Sequence, residues 1–257
     1  AGGIMRIFAQ GWSDRKDGPG HRRIYYLKGC NLCCRWCASP ESIAPQPELL
    51  FYPERADGEV LDYLCPHGAI CGHTLNRAIC GNCSDHACSK FKHTALEWVG
   101  RERSPEDLER EILLLASGWH DFGGVTFGGG EPTLQAAELL DCMERLKRHR
   151  IHTAFESNAT TPEFPRAARC ADLTIADLKA GTPEVFRNCT GGDLNAVLEY
   201  LTEAVESVPV LLIRVPVITG MNDAPEELAR MAEHLAKLHR RRLAVRSKPL
   251  DVEVLKL

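Results

Sequence analysis

The chain has 257 residues, 44% of them hydrophobic, enough to bury a full core in one large domain or in one domain with a small insert. A formal net charge of −4 argues against a general nucleic-acid binder, and no apolar run reaches the roughly 18 residues of a membrane span. The opening AGGIMRIFAQGW has neither a basic n-region nor a long apolar h-region, so the expected location is the cytoplasm, where the twelve cysteines read as metal or redox sites rather than disulfides.

In chain order, the first expected strand is Arg23–Leu27, followed at once by Gly29-Cys30-Asn31-Leu32-Cys33-Cys34-Arg35-Trp36-Cys37. Residues 41 to 100 have weak periodicity and many Gly, Pro, His and Cys, and read as an insertion held by metal rather than by a core. A helix is expected at Pro105–Ser117, with Ser104 as cap and Glu106, Asp107 and Glu109 at its positive end. Gly123–Phe127 reads as a buried strand before a glycine loop. Helix Leu134–Arg148, strand Ile151–Phe155, helix Pro162–Arg169, strand Leu173–Leu178 and helix Leu194–Val205 follow. Pro209–Val217 is an apolar run broken only by Arg214, as in a strand buried on both faces. Helix Ala224–Leu238 and strand Val252–Leu257 end the chain. The basic run His239–Arg242, with Arg246 and Lys248, reads as a solvated helix end. The class is α/β: six strands with crossover helices make a partial (β/α)6 TIM-like barrel over residues 1–40 and 101–257, with a small cysteine-rich ferredoxin-like insertion over residues 41–100.

The spacing Cys30-x3-Cys34-x2-Cys37 supplies three thiolates from one tight loop, and thiolates are the ligands of iron–sulfur clusters. Three ligands for four irons leave one iron open to chelate an amine and a carboxylate. Zinc prefers four closed ligands, and only Cys33 stands near as a fourth; adjacent Cys33 and Cys34 cannot easily face one cluster. Trp36 can shield the cluster from water. The glycine run Gly128–Gly130 lets the backbone approach a ligand, and Glu131 offers a carboxylate to a cationic amine.

With Asp17-Gly18-Pro19-Gly20, Arg22, Tyr26-Leu27-Lys28-Gly29-Cys30, Gly129-Gly130-Glu131-Pro132, Glu156-Ser157-Asn158 and Asp177-Leu178-Lys179, each at a strand end, the chain resembles the radical S-adenosylmethionine superfamily, in its branch of glycyl radical enzyme activating enzymes. The resemblance implies a [4Fe–4S] cluster on the catalytic cysteines Cys30, Cys34 and Cys37, at which S-adenosylmethionine is reductively cleaved. It implies cofactor contacts from Trp36, Ser39, Gly129, Gly130, Glu131, Glu156, Ser157, Asp177, Lys179 and Arg214. Among these, Glu131 meets the methionine amino group and Lys179 the carboxylate, while Glu156, Ser157 and Asp177 hold a monovalent cation. Ser39 stands where relatives often carry asparagine. Ordinary ion pairs are the alternative for Glu156, Asp177 and Arg214. The implied partners are a glycyl radical enzyme as substrate, entering past Asp17, and a flavodoxin or ferredoxin as electron donor. Members usually continue past the sixth strand with a His-containing loop and a final helix, so the sequence is expected to be either a short form, lacking one cofactor contact and one barrel wall, or a fragment.

Within the insert, Cys65-Pro66 looks like the end of a bacterial ferredoxin motif whose other ligand positions fall on Arg55, Gly58 and Leu61, none of which binds iron. Cys80-x2-Cys83 starts a second motif, with His86 and Lys90 at the remaining positions and Cys88 out of register. The expectation is one auxiliary [4Fe–4S] cluster on Cys65, Cys80, Cys83 and Cys88, with Cys71 as substitute for Cys65; a zinc site or a metal-free remnant are the alternatives. Cys142, Cys170 and Cys189 read as buried small hydrophobes. Two rival functions remain: a radical enzyme acting on a small molecule or another peptide, and a non-catalytic iron–sulfur or zinc electron-transfer protein.

Overall fold

The computed structural model describes residues 3–56, 65–84, 86–90, 94–116, 119 and 123–256. The expected assignments at Gly58, Leu61, Ser117 and Leu257 lie outside those residues.

Strands β1 (Met5–Asp14), β2 (His21–Leu27), β7 (Arg101–Arg103), β8 (Gly123–Gly129), β9 (Thr153–Ser157), β10 (Leu173–Asp177), β11 (Leu211–Val217) and β12 (Asp251–Lys256) form one eight-stranded sheet in the order β12-β11-β10-β9-β8-β2-β1-β7. The run from β2 to β12 is parallel throughout and contains all six strands read from the sequence. The edge pair β1 and β7 is antiparallel and has no counterpart in that reading.

Register divides the sheet into two faces. Tyr25, Leu27, Val125, Phe127, Phe155, Ile213 and Val215 face the helical layer and join its core. That layer comprises α2 (Pro105–Ala116), α3 (Ala136–Arg148), α4 (Phe164–Cys170), α5 (Pro183–Thr190), α6 (Leu194–Ser207) and α7 (Pro225–Val245); α1 is a short helix in the insert, Arg77–Gly81. Helix α5 was not read from the sequence. Its start is set locally: Thr182 accepts from the Val185 N–H, and Pro183 takes the first helical position. Residues Tyr26, Gly128, Glu156, Ile175, Asp177 and Arg214 lie on the opposite, barrel-interior face. The turn after β1 folds under this face. Asp17 O accepts from Thr126 Oγ1 at 2.7 Å, and fully buried Arg22 donates to Thr126 Oγ1, Val125 O and Pro19 O. Burial lowers the Arg22 guanidinium to about 10.

The basic run at the end of α7 is not wholly solvated. Arg242 is 2% exposed and donates to the carbonyls of Val205, Val208 and Pro209, while Arg246 donates to those of Glu206 and Ser207. Helix ends leave carbonyls without intrahelical partners, and these two arginines satisfy the ones at the end of α6.

The insert has a small core of its own, contrary to the expectation of metal alone. Strands β3 (Glu48–Phe51) and β6 (Leu96–Val99) pair antiparallel, as do β4 (Ile70–Cys71) and β5 (Thr74–Leu75). Leu49, Ile70, Ala95 and Leu96 form its buried cluster, with Cys65, Cys80, Cys88 and Trp98 packed against it. Cys142 and Cys189 are buried in the barrel, and Cys170 is half-buried against its core. Among the described residues no helix is long and apolar enough to cross a membrane.

Candidate active site

Parallel strands bring every strand's C-terminal end to one rim of the sheet. At that rim lies a cavity of about 270 Å³ whose wall includes Cys30, Cys34, Trp36 and Cys37 from the loop after β2. Gly129 and Gly130 line it from the end of β8, Glu156, Ser157 and Asn158 from β9, and Asp177 and Lys179 from β10. The loop is pinned at both ends. Gly29 N donates to Ser42 O and Cys30 N to Ile43 O, and farther along Cys33 N and Arg35 N donate to Thr190 O and Cys189 O. Cys33 is exposed and does not line the cavity.

The glycines after β8 serve the protein's own backbone. Gly129 has φ of 112°, and a Cβ there would meet Leu27 N at 2.5 Å; one on Gly130 would meet Gly29 O at 2.2 Å. Their absent side chains let β8 close on the cysteine loop, with Gly130 N donating to Leu27 O and Glu131 N to Gly29 O.

Glu131 does not line this cavity. Its carboxylate is fully buried and accepts from Thr133 N (3.1 Å), Thr133 Oγ1 (2.5 Å), Ser157 Oγ (2.9 Å) and Asn158 N (2.7 Å). Burial pushes its pKa up, although all four donors oppose the shift. This group ties the loops after β8 and β9 together. Ser39 also lies outside the cavity, ahead of the 3-10 turn Pro40–Ser42. Arg214 takes the ion-pair alternative: Nη1 stands 2.6 Å from Glu156 Oε1, Nε 2.7 Å from Glu253 Oε2, and Nη2 donates to Lys16 O.

The three residues assigned to a cation each have a protein partner. Asp177 accepts from Lys179 Nζ at 2.5 Å, Glu156 pairs with Arg214, and Ser157 donates to Glu131. Burial pushes Glu156 up to about 7, with Arg214 opposing and Asp17 and Asp177 reinforcing the shift. For Lys179, burial favours the neutral amine, but Asp177 and the nearby Cys34 and Cys30 outweigh it and raise the ammonium's pKa. Burial also pushes the Cys30 thiol up to about 11 and raises Cys34.

The expected cofactor contacts leave out Asn158, Ser42, Leu32 and Ala38, all of which line the cavity. Asn158 Nδ2 lies 3.9 Å from Cys30 Sγ and donates to Asn31 Oδ1 at 3.0 Å. Its place after Glu156-Ser157 was the available signal.

These groups fit an iron–sulfur cluster with a chelated amino-acid ligand. The donor set offers three thiols from one loop, and a buried ammonium stands beside them. Among the described residues no three His, Cys, Asp or Glu side chains close on a single metal ion; in a [4Fe–4S] cluster each cysteine takes a different iron and stands farther from its fellows.

A second cavity lies in the insert. Cys65, Cys80, Cys83 and Cys88 all line it, together with Leu49, Trp98, His67 and His86. Ala69 N donates to Cys65 Sγ at 3.3 Å. Burial, followed by the neighbouring thiols, raises Cys88, and burial raises Cys80. Cys71 is exposed and lies outside the cavity.

A family model described as the Radical SAM superfamily matches residues 24–232. The 4-hydroxyphenylacetate decarboxylase activating enzyme of Clostridioides difficile is 30% identical over 235 residues, covering 86% of this chain and 74% of the relative. The isethionate sulfite-lyase activating enzyme of Desulfovibrio desulfuricans is 34% identical over 234 residues, covering 85% and 75%. The indoleacetate decarboxylase activating enzyme of Tractidigestivibacter scatoligenes is 30% identical over 240 residues, covering 87% and 76%.

Proposed function

Because this chain belongs to the radical SAM superfamily, with curated relatives that are activating enzymes, we propose that it reductively cleaves S-adenosylmethionine and installs a glycyl radical on a partner enzyme. The observation that carries the proposal is the rim cavity, which Cys30, Cys34 and Cys37 line together with Lys179, Gly129 and Gly130. Membership implies a [4Fe–4S] cluster and S-adenosylmethionine, and the residues at the rim fit both.

When bound, the cluster would supply the one electron needed to cleave S-adenosylmethionine reductively for hydrogen abstraction from the partner's glycine. The chain's own residues bind, orient and shield. Cys30, Cys34 and Cys37 would hold the cluster through three thiolates, leaving one iron without a protein ligand. Lys179, kept protonated by Asp177, faces the carboxylate, and the backbone of Gly129 and Gly130 bounds the amine side. Trp36 covers the cluster from water. Glu131 acts at one remove, by fixing the Ser157–Asn158 segment in the wall. A monovalent cation would be held by Glu156, Ser157 and Asp177, whose oxygens now meet Arg214, Glu131 and Lys179.

In the insert, Cys65, Cys80, Cys83 and Cys88 hold one auxiliary [4Fe–4S] cluster, supported by their common cavity and by Cys71 lying outside it. A flavodoxin or ferredoxin is the proposed donor and the cytoplasm the proposed location.

The test is anaerobic. Reconstituted protein with dithionite and S-adenosylmethionine should release 5′-deoxyadenosine, and a co-expressed glycyl radical partner should show a glycine-centred signal by electron paramagnetic resonance. Release of 5′-deoxyadenosine without that signal would shift the assignment to a small-molecule or other peptide substrate. No release from protein with its cluster intact would overturn the proposal.

A further inference from the structure

Lys28 lies directly before the cysteine loop, and its side chain is fully buried. Its ammonium donates to Glu41 O at 2.5 Å and to Glu48 Oε2 at 2.6 Å. Both partners belong to the insert, so the charge binds the insert's entry to the loop that carries Cys30. The insert's exit closes on the same side chain. Gly100 has φ of 100°, and a Cβ there would meet Lys28 Cδ at 2.9 Å. Only a glycine lets the returning chain pass so close to the lysine stem.

The connection continues to the other cysteines. Glu48 opens β3, and the next residue, Leu49, lines the insert's cysteine cavity. The Leu49 carbonyl accepts from Arg77 Nη1 at 2.9 Å, and Arg77 opens α1, which carries Cys80. One short route therefore runs from Cys30 through Lys28, Glu48, Leu49 and Arg77 to Cys80. Desolvating an ammonium is costly, and an apolar side chain would fill this space more cheaply. What a charge adds is registry, because it holds two segments in one relative position and penalises others.

We infer that Lys28 is a positioning residue through which the loaded insert sets the geometry of the Cys30–Cys37 loop, and so its hold on S-adenosylmethionine. The inference rests on the reading of the insert cavity as an auxiliary cluster site. Coupling between two sites is reciprocal and is measured as a change in affinity.

The experiment compares four reconstituted full-length proteins: the unsubstituted chain, Cys83→Ser, Glu48→Ala and the double variant. Glu48→Ala cuts the strut while leaving Lys28 its contact with Glu41 O. Iron per chain is counted. S-adenosylmethionine is titrated against the paramagnetic resonance spectrum of the reduced loop cluster, which reports binding without turnover. Each single variant should raise the half-saturating concentration about tenfold, and the double variant should raise it no further. Lys28→Arg, which keeps the charge and the reach, should bind nearly as well as the unsubstituted chain, whereas Lys28→Met should match Glu48→Ala. An iron count unchanged by Cys83→Ser would remove the auxiliary-cluster reading and this inference with it. Loss of about four irons with affinity unmoved, or with the two effects multiplying in the double variant, would overturn the coupling alone.

Discussion

Replacing Glu131 with glutamine should destabilise the metal-free protein, because the carboxylate is a buried four-way acceptor. An amide can keep its oxygen toward Thr133 and Ser157, but its NH₂ then faces the Asn158 N–H at the position where Oε2 stood. One hydrogen bond to a charged acceptor is lost, worth about 1.5–3 kcal/mol, and a buried backbone donor is left unsatisfied, which costs about 1–3 kcal/mol. Burial raises the pKa of Glu131, so removing its charge returns part of that sum. A net loss of about 2–4 kcal/mol follows. For a domain of this size that lowers the melting temperature by roughly 5–15 °C. The assay is anaerobic thermal unfolding of metal-free Glu131→Gln against the unsubstituted chain, with no cofactor present. If Glu131 instead waits for a cofactor amine, the metal-free proteins should melt together and only S-adenosylmethionine affinity should fall. Melting within about 1 °C, paired with a tenfold affinity loss, would refute the structural account of this residue.

Glu156 gives a pH signature of the opposite sign. Its folded pKa of about 7 exceeds the ordinary 4.5, so between those values the folded state binds more protons than the unfolded and stability falls as pH rises. Metal-free Glu156→Gln should match the unsubstituted chain at pH 5 and melt higher at pH 8; a lower melting point at pH 8 would contradict the shift. In the insert, Cys65→Ser should reduce reconstituted iron from about eight to about four per chain, whereas Cys71→Ser should leave the count unchanged. Arg242→Met should strand the carbonyls of Val205, Val208 and Pro209 and lower stability by about 2–4 kcal/mol, measured by urea unfolding.

The parallel strands were legible because they are near-continuous apolar runs bounded by Gly, Pro and charged residues, such as Leu173–Asp177. The antiparallel strands at the β7 edge give less. β1 reads MRIFAQGWSD, with its later residues half-buried or exposed, and β7 is Arg101-Glu102-Arg103, a strand only because Met5–Ile7 pair with it. In the site, the spacing Cys30-x3-Cys34-x2-Cys37 named the candidate ligands among four thiols in eight residues. Side-chain direction was not legible. The motif placed Glu131 at the rim but could not say that Thr133, Ser157 and Asn158 would claim its oxygens. A local clue existed, for Glu131-Pro132-Thr133 is also a helix start, and Glu131 does cap the turn Pro132–Gln135. The partner that decides Arg214, Glu253, lies 39 residues away, so spacing alone left both its readings open.

The direction of the thiol pKa shifts bears on which chemistry these cysteines serve. A cysteine used as a nucleophile or redox switch sits where positive charge or a helix N-terminus depresses its pKa. Here the shifts run the other way: Cys30 is pushed up to about 11, and Cys34, Cys80 and Cys88 are all raised. At the rim, the nearest cations are already committed, Lys179 to Asp177 and Arg214 to Glu156 and Glu253. Burial thus outweighs the nearby cations, Lys179 at Cys30 and Cys34 and Arg77 at Cys80, which pull the thiol pKa values down. Such a site is poor for attack on carbon or sulfur. It suits a ligand that brings its own positive charge and displaces the protons as it binds, which is how iron is taken up.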